Sequence, residues 1–408
     1  MKFTVNPASQ RCPRLGRLEA FIDKPEYSLE TPLVLLHTQG GQIPHVTHEV
    51  LKLITEDPQI LQIPLVSMHC YHEAIRLYNG RVSEFVGNKD CLTCITVHDP
   101  SNITKQGHHM KDKVPIFTRN GKVLYDSKMY MSMIEQFKPD MYILLSDGDT
   151  NISSPNKRIA KAVESTVSLT EQCIEIHKES EVLKETFVIA PVAGGYCLKS
   201  RQKCIDLMQK NNSYIQGYLI DGLHNNGSEV EFISFAEVKP VVDLVVQNLS
   251  PNKLVAVQGC WSPLNIIKLV KSGVDLYDTS YCRILTERSA AIIFAMEPQE
   301  HSEAYEINLR QPKYAEDFQP LLRGCNCVAC QGYSRGYIHH LLTVQELLGS
   351  VLIMIHNIYY MLRFFRKIRD CIKNGNLDDL EDKVATQFKL LQLDTDKDMQ
   401  VVNGSVDT

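Results

Sequence analysis

The chain has 408 residues, 44% of them apolar and 22% charged, which excludes a disordered or low-complexity chain and leaves room for one large barrel or two ordinary domains. Its formal net charge is −5. That argues against a protein that grips nucleic acid unaided, because phosphate neutralisation supplies most of such affinity; a local basic patch or a partner that carries the charge remains compatible. The first 18 residues are polar, with Pro7, Pro13 and three arginines. They lack the apolar core of a secretory signal, so an intracellular chain is expected, in which the 13 cysteines are thiols or metal ligands rather than disulfides.

Short apolar runs, each closed by a polar or glycine-bearing turn, recur along the chain: Leu33–His37, Pro64–Met68, Thr93–Val97, Met141–Leu145, Phe187–Ala190, Gly217–Ile220, Leu254–Val257 and Gly273–Tyr277. Continuous apolar runs suit strands buried on both faces, as in a parallel sheet. Helix-like stretches lie between most of them, at Val46–Thr55, Asp126–Phe137, Lys157–Glu179, Ser200–Lys210, Ser234–Leu249 and Ser262–Lys271. Eight strands alternating with helices predict an α/β fold, a (β/α)₈ barrel, with a doubly wound open sheet as the alternative. Active sites of such barrels lie at the C-terminal ends of the strands. Those ends carry Thr38-Gln39-Gly40-Gly41, His98-Asp99, Ser146-Asp147, Pro191, Asp221-Gly222, Gln258-Gly259 and Asp278. A cluster of carboxylates at one rim could act as acid, base or nucleophile, although any one Asp after a strand, taken alone, is better explained as a cap of the next helix.

After the eighth strand the pattern breaks. Residues 300–337 are polar and then cysteine-rich, a long helix is predicted from about Ile338 to Lys373, a second over Leu377–Leu391, and residues 394–408 read as a disordered tail. The expected organisation is a barrel over 1–299, a metal-binding subdomain with its long helix over 300–393, and the tail. The run Leu347–Phe365 approaches membrane-spanning length, but His356 and Asn357 interrupt it, so a buried helix is expected rather than an integral membrane segment.

Cys325-Asn326-Cys327-Val328-Ala329-Cys330 is a C-x-C-x-x-C run. Three thiols this close can turn onto one tetrahedral ion, with a fourth ligand from the following element. His356, His339 and His340 compete for that place. Three thiolates and an imidazole would close the coordination sphere around one structural zinc ion, leaving no open position for catalysis. Cys91-Leu92-Thr93-Cys94 has no second pair nearby and reads as core.

The segment from Cys325 to Asn357 strongly resembles the zinc subdomain of the tRNA-guanine transglycosylases. The cysteine run is followed by Tyr333-Ser334-Arg335-Gly336-Tyr337-Ile338-His339-His340-Leu341, then Glu346, then His356-Asn357, similar to the family's Y-S-R-A-Y-x-H-H-L run and its late histidine. The resemblance selects His356 as the fourth ligand. It extends more weakly over Thr31-Pro32, Thr38-Gln39-Gly40, Gly217–Leu223, Ser262-Pro263 and Gly273–Asp278, and implies an irregular (β/α)₈ barrel with the zinc subdomain attached. It implies that Asp278 holds the nucleophile's place, Asp99 that of the proton-handling aspartate, and Asp147 and Gly222 places in the base pocket.

The departures from the family pattern bear on activity. Thr279-Ser280-Tyr281-Cys282-Arg283 replaces C-V-x-P-T-R, and Pro100-Ser101-Asn102-Ile103-Thr104 replaces S-G-G-F-Q after Asp99. The base-binding glutamine falls near Pro191, which offers no side-chain donor or acceptor. A slot that lacks its hydrogen-bonding groups binds and discriminates poorly. The chain therefore resembles the non-catalytic branch of the family, with no catalytic residue expected and Asp278 and Asp99 vestigial. By that resemblance it would pair with a catalytic subunit, with a weak homodimer as a further state, in a complex exchanging guanine for queuine at the wobble position of tRNAs for Asp, Asn, His and Tyr. The interface is expected around the long helix, with Arg363, Arg366, Lys367, Arg369 and Lys373 as candidate tRNA contacts or simply a solvated face. A cytoplasmic place is expected, with peripheral attachment to the outer face of mitochondria as a further expectation. An active transglycosylase using Asp278, and an unrelated zinc-stabilised structural protein, are the competing readings.

Overall fold

The computed structural model describes residues 1–6, 12–297, 300, 302 and 304–389; the expected tail over 394–408 lies outside the described residues. The chain forms two compact units, Met1–Pro44 with Asp57–Tyr281, and His45–Glu56 with the chain from Cys282 on.

The first unit is a closed barrel of eight parallel strands: β1 (Leu33–His37), β2 (Ile60–Pro64), β3 (Leu92–Thr96), β4 (Met141–Ile143), β5 (Phe187–Val192), β6 (Gly217–Ile220), β7 (Leu254–Ala256) and β8 (Leu276–Asp278). Each strand pairs with its sequence neighbour, and β8 pairs with β1 to close the ring. The open-sheet alternative is thereby set aside. Helices Ser127–Phe137, Asn156–Glu179, Leu198–Met208, Phe235–Asn248 and Pro263–Lys271 stand where the sequence places them, give or take two residues. Asp126 and Ser262 cap two of them through side-chain acceptors. Leu35, Ile60, Leu92, Met141, Phe187, Leu219, Leu254 and Leu276 fill the barrel interior.

Three features were not expected. An antiparallel N-terminal sheet of Lys2–Val5, Gly16–Glu19 and Leu29–Thr31 joins the same core through Phe3, Leu18 and Leu29. A hairpin of Val114–Thr118 and Gly121–Tyr125 is inserted between β3 and β4. The second strand is Ile60–Pro64, not Pro64–Met68. Gln62, fully buried inside β2, breaks the apolar appearance of the true strand. Leu65–Met68 is a helical turn that buries Leu65 and Met68 at a spacing of three. Two strand ends also shift: β8 begins at Leu276, because Gly273 at φ +98° belongs to the preceding turn, and β5 runs on to Val192, so Pro191 lies inside a strand.

In the second unit Ala290–Ile292 pairs antiparallel with Glu306–Asn308, and helices follow at Val328–Gly332, Arg335–Thr343, Leu347–Asn374 and 377–389. The expected single helix from Ile338 is thus two. Gln345 takes a left-handed conformation, φ +61°, and the Glu346 N–H returns to the Leu341 carbonyl at 2.8 Å, which is the six-to-one bond of a Schellman stop. No glycine marks the stop, so the sequence hid it. Helix Leu347–Asn374 is long and apolar enough to cross a bilayer, but 61% of its most apolar window is buried within the protein.

Candidate functional site

Cys325, Cys327, Cys330 and His356 converge in the second unit, all buried, with their ligand atoms within 4.8 Å of one another. The His356 Nδ1 lies 3.3 Å from Cys330 Sγ, 3.4 Å from Cys327 Sγ and 3.9 Å from Cys325 Sγ. A tetrahedral ion with metal–sulfur bonds of ~2.3 Å and metal–nitrogen bonds of ~2.0 Å would hold S and N about 3.5 Å apart, inside the observed spread. His356 Nε2 donates to the Ile292 carbonyl at 2.7 Å. That bond leaves Nδ1 as the free lone pair, the outer support that metal-binding histidines use. The cluster could therefore hold one metal ion. Next to it, the fully buried Asn357 accepts from Ile292 N at 3.0 Å and donates to Ala290 O at 3.0 Å, fastening the long helix to the hairpin. The competing His339 is turned away, with Nδ1 on the Leu309 carbonyl at 2.8 Å.

The barrel mouth of the first unit gathers the predicted carboxylates, and each is engaged by the chain itself. Asp278, the last residue of β8, is buried; it accepts from Gly259 N at 2.9 Å, from Ser280 N at 2.9 Å and from the Ser280 hydroxyl. Burial raises its pKa, against the opposing donors and the nearby His37. Asp99 accepts from His37 Nε2 at 2.8 Å, Ser101 N at 2.9 Å, Ser101 Oγ at 2.6 Å and Asn102 Nδ2 at 2.8 Å. Burial would raise its pKa as well, but the His37 contact and the Ser101 donors outweigh it and hold the carboxyl well below its usual range. The Pro100-Ser101-Asn102 segment thus folds back onto Asp99 instead of framing a substrate. Asp147 accepts from both terminal guanidinium nitrogens of Arg158, Nη1 and Nη2, with His109 Nδ1 at 3.2 Å. Gly222, at φ +71°, presses against Thr150; an added Cβ would stand 2.4 Å from the Thr150 hydroxyl.

One cavity at the mouth, lined by His98, Ser146, Asp221, Gly222, His224 and Gln258, among others, has a volume of about 40 Å³. At roughly 10–15 Å³ per water, it takes a few waters.

His224 makes the mouth pH-sensitive. Its Nε2 faces the Gln258 carbonyl at 3.0 Å and its Nδ1 accepts from Asn226 N at 3.1 Å, so only the neutral ring satisfies both. Burial drives its pKa down to about 4, and burial does the same to His98, also about 4. Unfolded, both would titrate near 6.5. Below that pH the unfolded chain binds more protons, so stability is full above pH 6.5 and is lost as pH falls towards 4. The loss is at most about 3 kcal/mol per histidine, less here because both line a hydrated cavity. Urea midpoints at pH 7.5 and pH 5 should show this fall, and His224→Gln should flatten it; an unchanged slope in that variant would assign the effect elsewhere.

Arg158, His37 and His109 are the mouth residues the sequence reading missed. His37 was accessible to it: period-two alternation from Leu35 points it into the barrel. Arg158 and His109 carried no local signal. Of the candidate basic residues, Arg363 pairs with Glu300 at 2.7 Å and Lys367 with Glu297 at 2.9 Å, so both are committed within the second unit. Arg366 and Lys373 are exposed and Arg369 is half-buried.

Comparison with known proteins agrees with this arrangement. The profile of the family described as "Queuine tRNA-ribosyltransferase" (TGT) matches residues 9–389. Proteins named "Queuine tRNA-ribosyltransferase accessory subunit 2" are similar over nearly the whole chain. The one from Aedes aegypti is 35% identical over 390 residues, 95% of this chain and 93% of the relative. The one from Anopheles gambiae is 36% identical over 396 residues, 96% and 91%. The one from Drosophila melanogaster is 35% identical over 403 residues, 97% and 94%. On this near-complete match, the chain belongs to the queuine tRNA-ribosyltransferase family.

Proposed function

We propose that the chain is the non-catalytic subunit of a heterodimeric queuine tRNA-ribosyltransferase. In that complex a catalytic relative exchanges guanine for queuine at the wobble position of tRNAs for Asp, Asn, His and Tyr, and this chain supports the partner and the tRNA. The observation that carries the reading is the filled mouth: Asp278, Asp99 and Asp147 each spend their lone pairs on the chain's own donors, in a family whose chemistry needs a base slot open to hydrogen bonds. The accessory-subunit name of the relatives supports it. Zinc is the metal best suited to three thiolates and one imidazole, and its role would be structural.

The partner surface is best sought on the second unit. Tyr337, Val344 and Leu347, within eleven residues of chain, are large and exposed, Leu347 at 77%, and exposed large apolar side chains suit a subunit contact. A second copy of the chain is the other occupant that face allows. A cytoplasmic site of action follows the same reading.

One observation favours the competing reading. Asp99 is held low and Asp278 is raised, and such a split can mark an acid/base pair. Mixing the chain with a catalytic relative, sizing the product and following labelled queuine into tRNA separates the two. A one-to-one complex that exchanges, with no exchange by this chain alone, is expected; turnover by the isolated chain would end the accessory reading.

A further inference from the structure

The interior of a barrel of this kind is packed mainly with branched apolar side chains. Gln62 on β2 and His37 on β1 depart from that rule together. The two are Cα partners in the ladder that joins these strands. Two residues earlier on each strand stand Leu35 and Ile60, which fill the barrel, and side chains two apart on a strand share a face. Gln62 and His37 are therefore neighbours inside the barrel, and both are fully buried. The backbone between them is fastened: the Gln62 carbonyl accepts from Thr38 N at 3.0 Å and from the Thr38 hydroxyl at 2.7 Å.

Among the described residues, neither amide atom of Gln62 has a hydrogen-bond partner, and neither does His37 Nδ1. Buried polar atoms are costly unless something meets them, and the chemistry of these three limits what that is. Asp99 is a carboxylate and only accepts, so the His37 Nε2 at 2.8 Å from it carries a proton. In the neutral ring Nδ1 is then a lone pair that needs a donor. Gln62 adds an acceptor, Oε1, and a donor, Nε2. A cation would leave the Nε2 hydrogens facing it, and an anion would leave Oε1 and Nδ1 without a donor. Water supplies both. We propose that Gln62 and His37 bind one water inside the barrel, which accepts from Gln62 Nε2, donates one hydrogen to Oε1 of the same amide and donates the other to His37 Nδ1. A primary amide can close such a ring on one water because its carbonyl and one N–H lie side by side, and three bonds are what a buried water typically makes. Gln62 is then a positioning residue: through the water it keeps the His37 ring turned with Nε2 towards Asp99.

Two measurements on the full chain test the site. A high-resolution crystal structure of the wild type should show one water within hydrogen-bond distance, about 2.7–3.2 Å, of the Gln62 amide and of His37 Nδ1, and the same water should be lost from Gln62→Leu. In solution, a chain labelled with 15N-histidine reports the same contact. The His37 Nδ1 resonance, identified by its loss in His37→Asn, should shift in Gln62→Leu to that of a lone pair without a donor, while the other histidines keep their positions. A Gln62 that merely fills space would leave Nδ1 unmoved. If Gln62→Leu does not fold, the wild-type crystal structure carries the test. A Gln62 amide bonded directly to Nδ1, a contact without water, an ion in the water's place, or an unmoved Nδ1 signal in Gln62→Leu overturns the proposal. None of these results bears on the accessory reading, which exchange activity tests.

Discussion

Changing Cys327 to Ser, or His356 to Ala, should strip the chain of its metal and lower its melting temperature by more than 10 °C. The four side chains come from a short loop and from the middle of a 28-residue helix, so the ion would be the covalent-like link between them. Structural zinc contributes on the order of 10–16 kcal/mol in small peptides. Here a pre-existing core shares the ordering, so roughly 5 kcal/mol is the more modest expectation. That is still comparable with the ~5–15 kcal/mol that separates a folded domain from its unfolded chain. At about 2–4 °C per kcal/mol for a unit of this size, the shift exceeds 10 °C. Elemental analysis of the purified chain should return one zinc per chain, and a chelator should reproduce the variants' melting curve. A metal-free chain that melts like wild type would remove the structural role.

The second large effect is expected at Arg14. Its guanidinium donates to Asp275 Oδ1 at 2.9 Å and Oδ2 at 2.5 Å, and to the Pro251 and Lys253 carbonyls at 3.1 and 2.9 Å. Asp275, fully buried, also accepts from Val255 N at 2.8 Å. The N-terminal segment is in this way tied to β7 and to the turn that enters β8. Arg14→Ala leaves the Asp275 charge buried and half-satisfied, which costs about 3–5 kcal/mol. Urea unfolding should show that loss, with Arg14→Lys intermediate because an ammonium cannot form the fork. Arg14→Met together with Asp275→Leu should recover much of it, since an apolar pair of similar volume needs no partners. A loss below about 1 kcal/mol in Arg14→Ala would place the pair with surface ion pairs.

What could be read from the sequence follows how locally each feature is encoded. The eight-strand alternation and most helices came from runs and caps carried within ten residues, as at Asp126 and Ser262. The metal trio came from spacing alone, because Cys325, Cys327 and Cys330 lie within one loop. Its fourth member did not: His339 and His340 are nearer in sequence, and only the family pattern selected His356. β2 was misplaced because Gln62 is a polar residue on the inside of a barrel, where strand pattern expects an apolar one. The mouth's filling was the least legible part. Arg158 meets Asp147 across a loop and a helix start, and His37 at the end of β1 meets Asp99 just past β3, with β2 between those two strands. Such contacts exist only once the barrel is closed.

The accessory reading stands most directly on one measurement: the exchange rate of the complex with a catalytic relative when Asp278 of this chain alone is changed to Asn. Asp278 is engaged by Gly259 and Ser280, so the expected result is a rate within error of the unaltered complex. If the variant complex assembles normally yet loses exchange, this chain's own barrel performs chemistry, and its assignment as a non-catalytic partner is wrong.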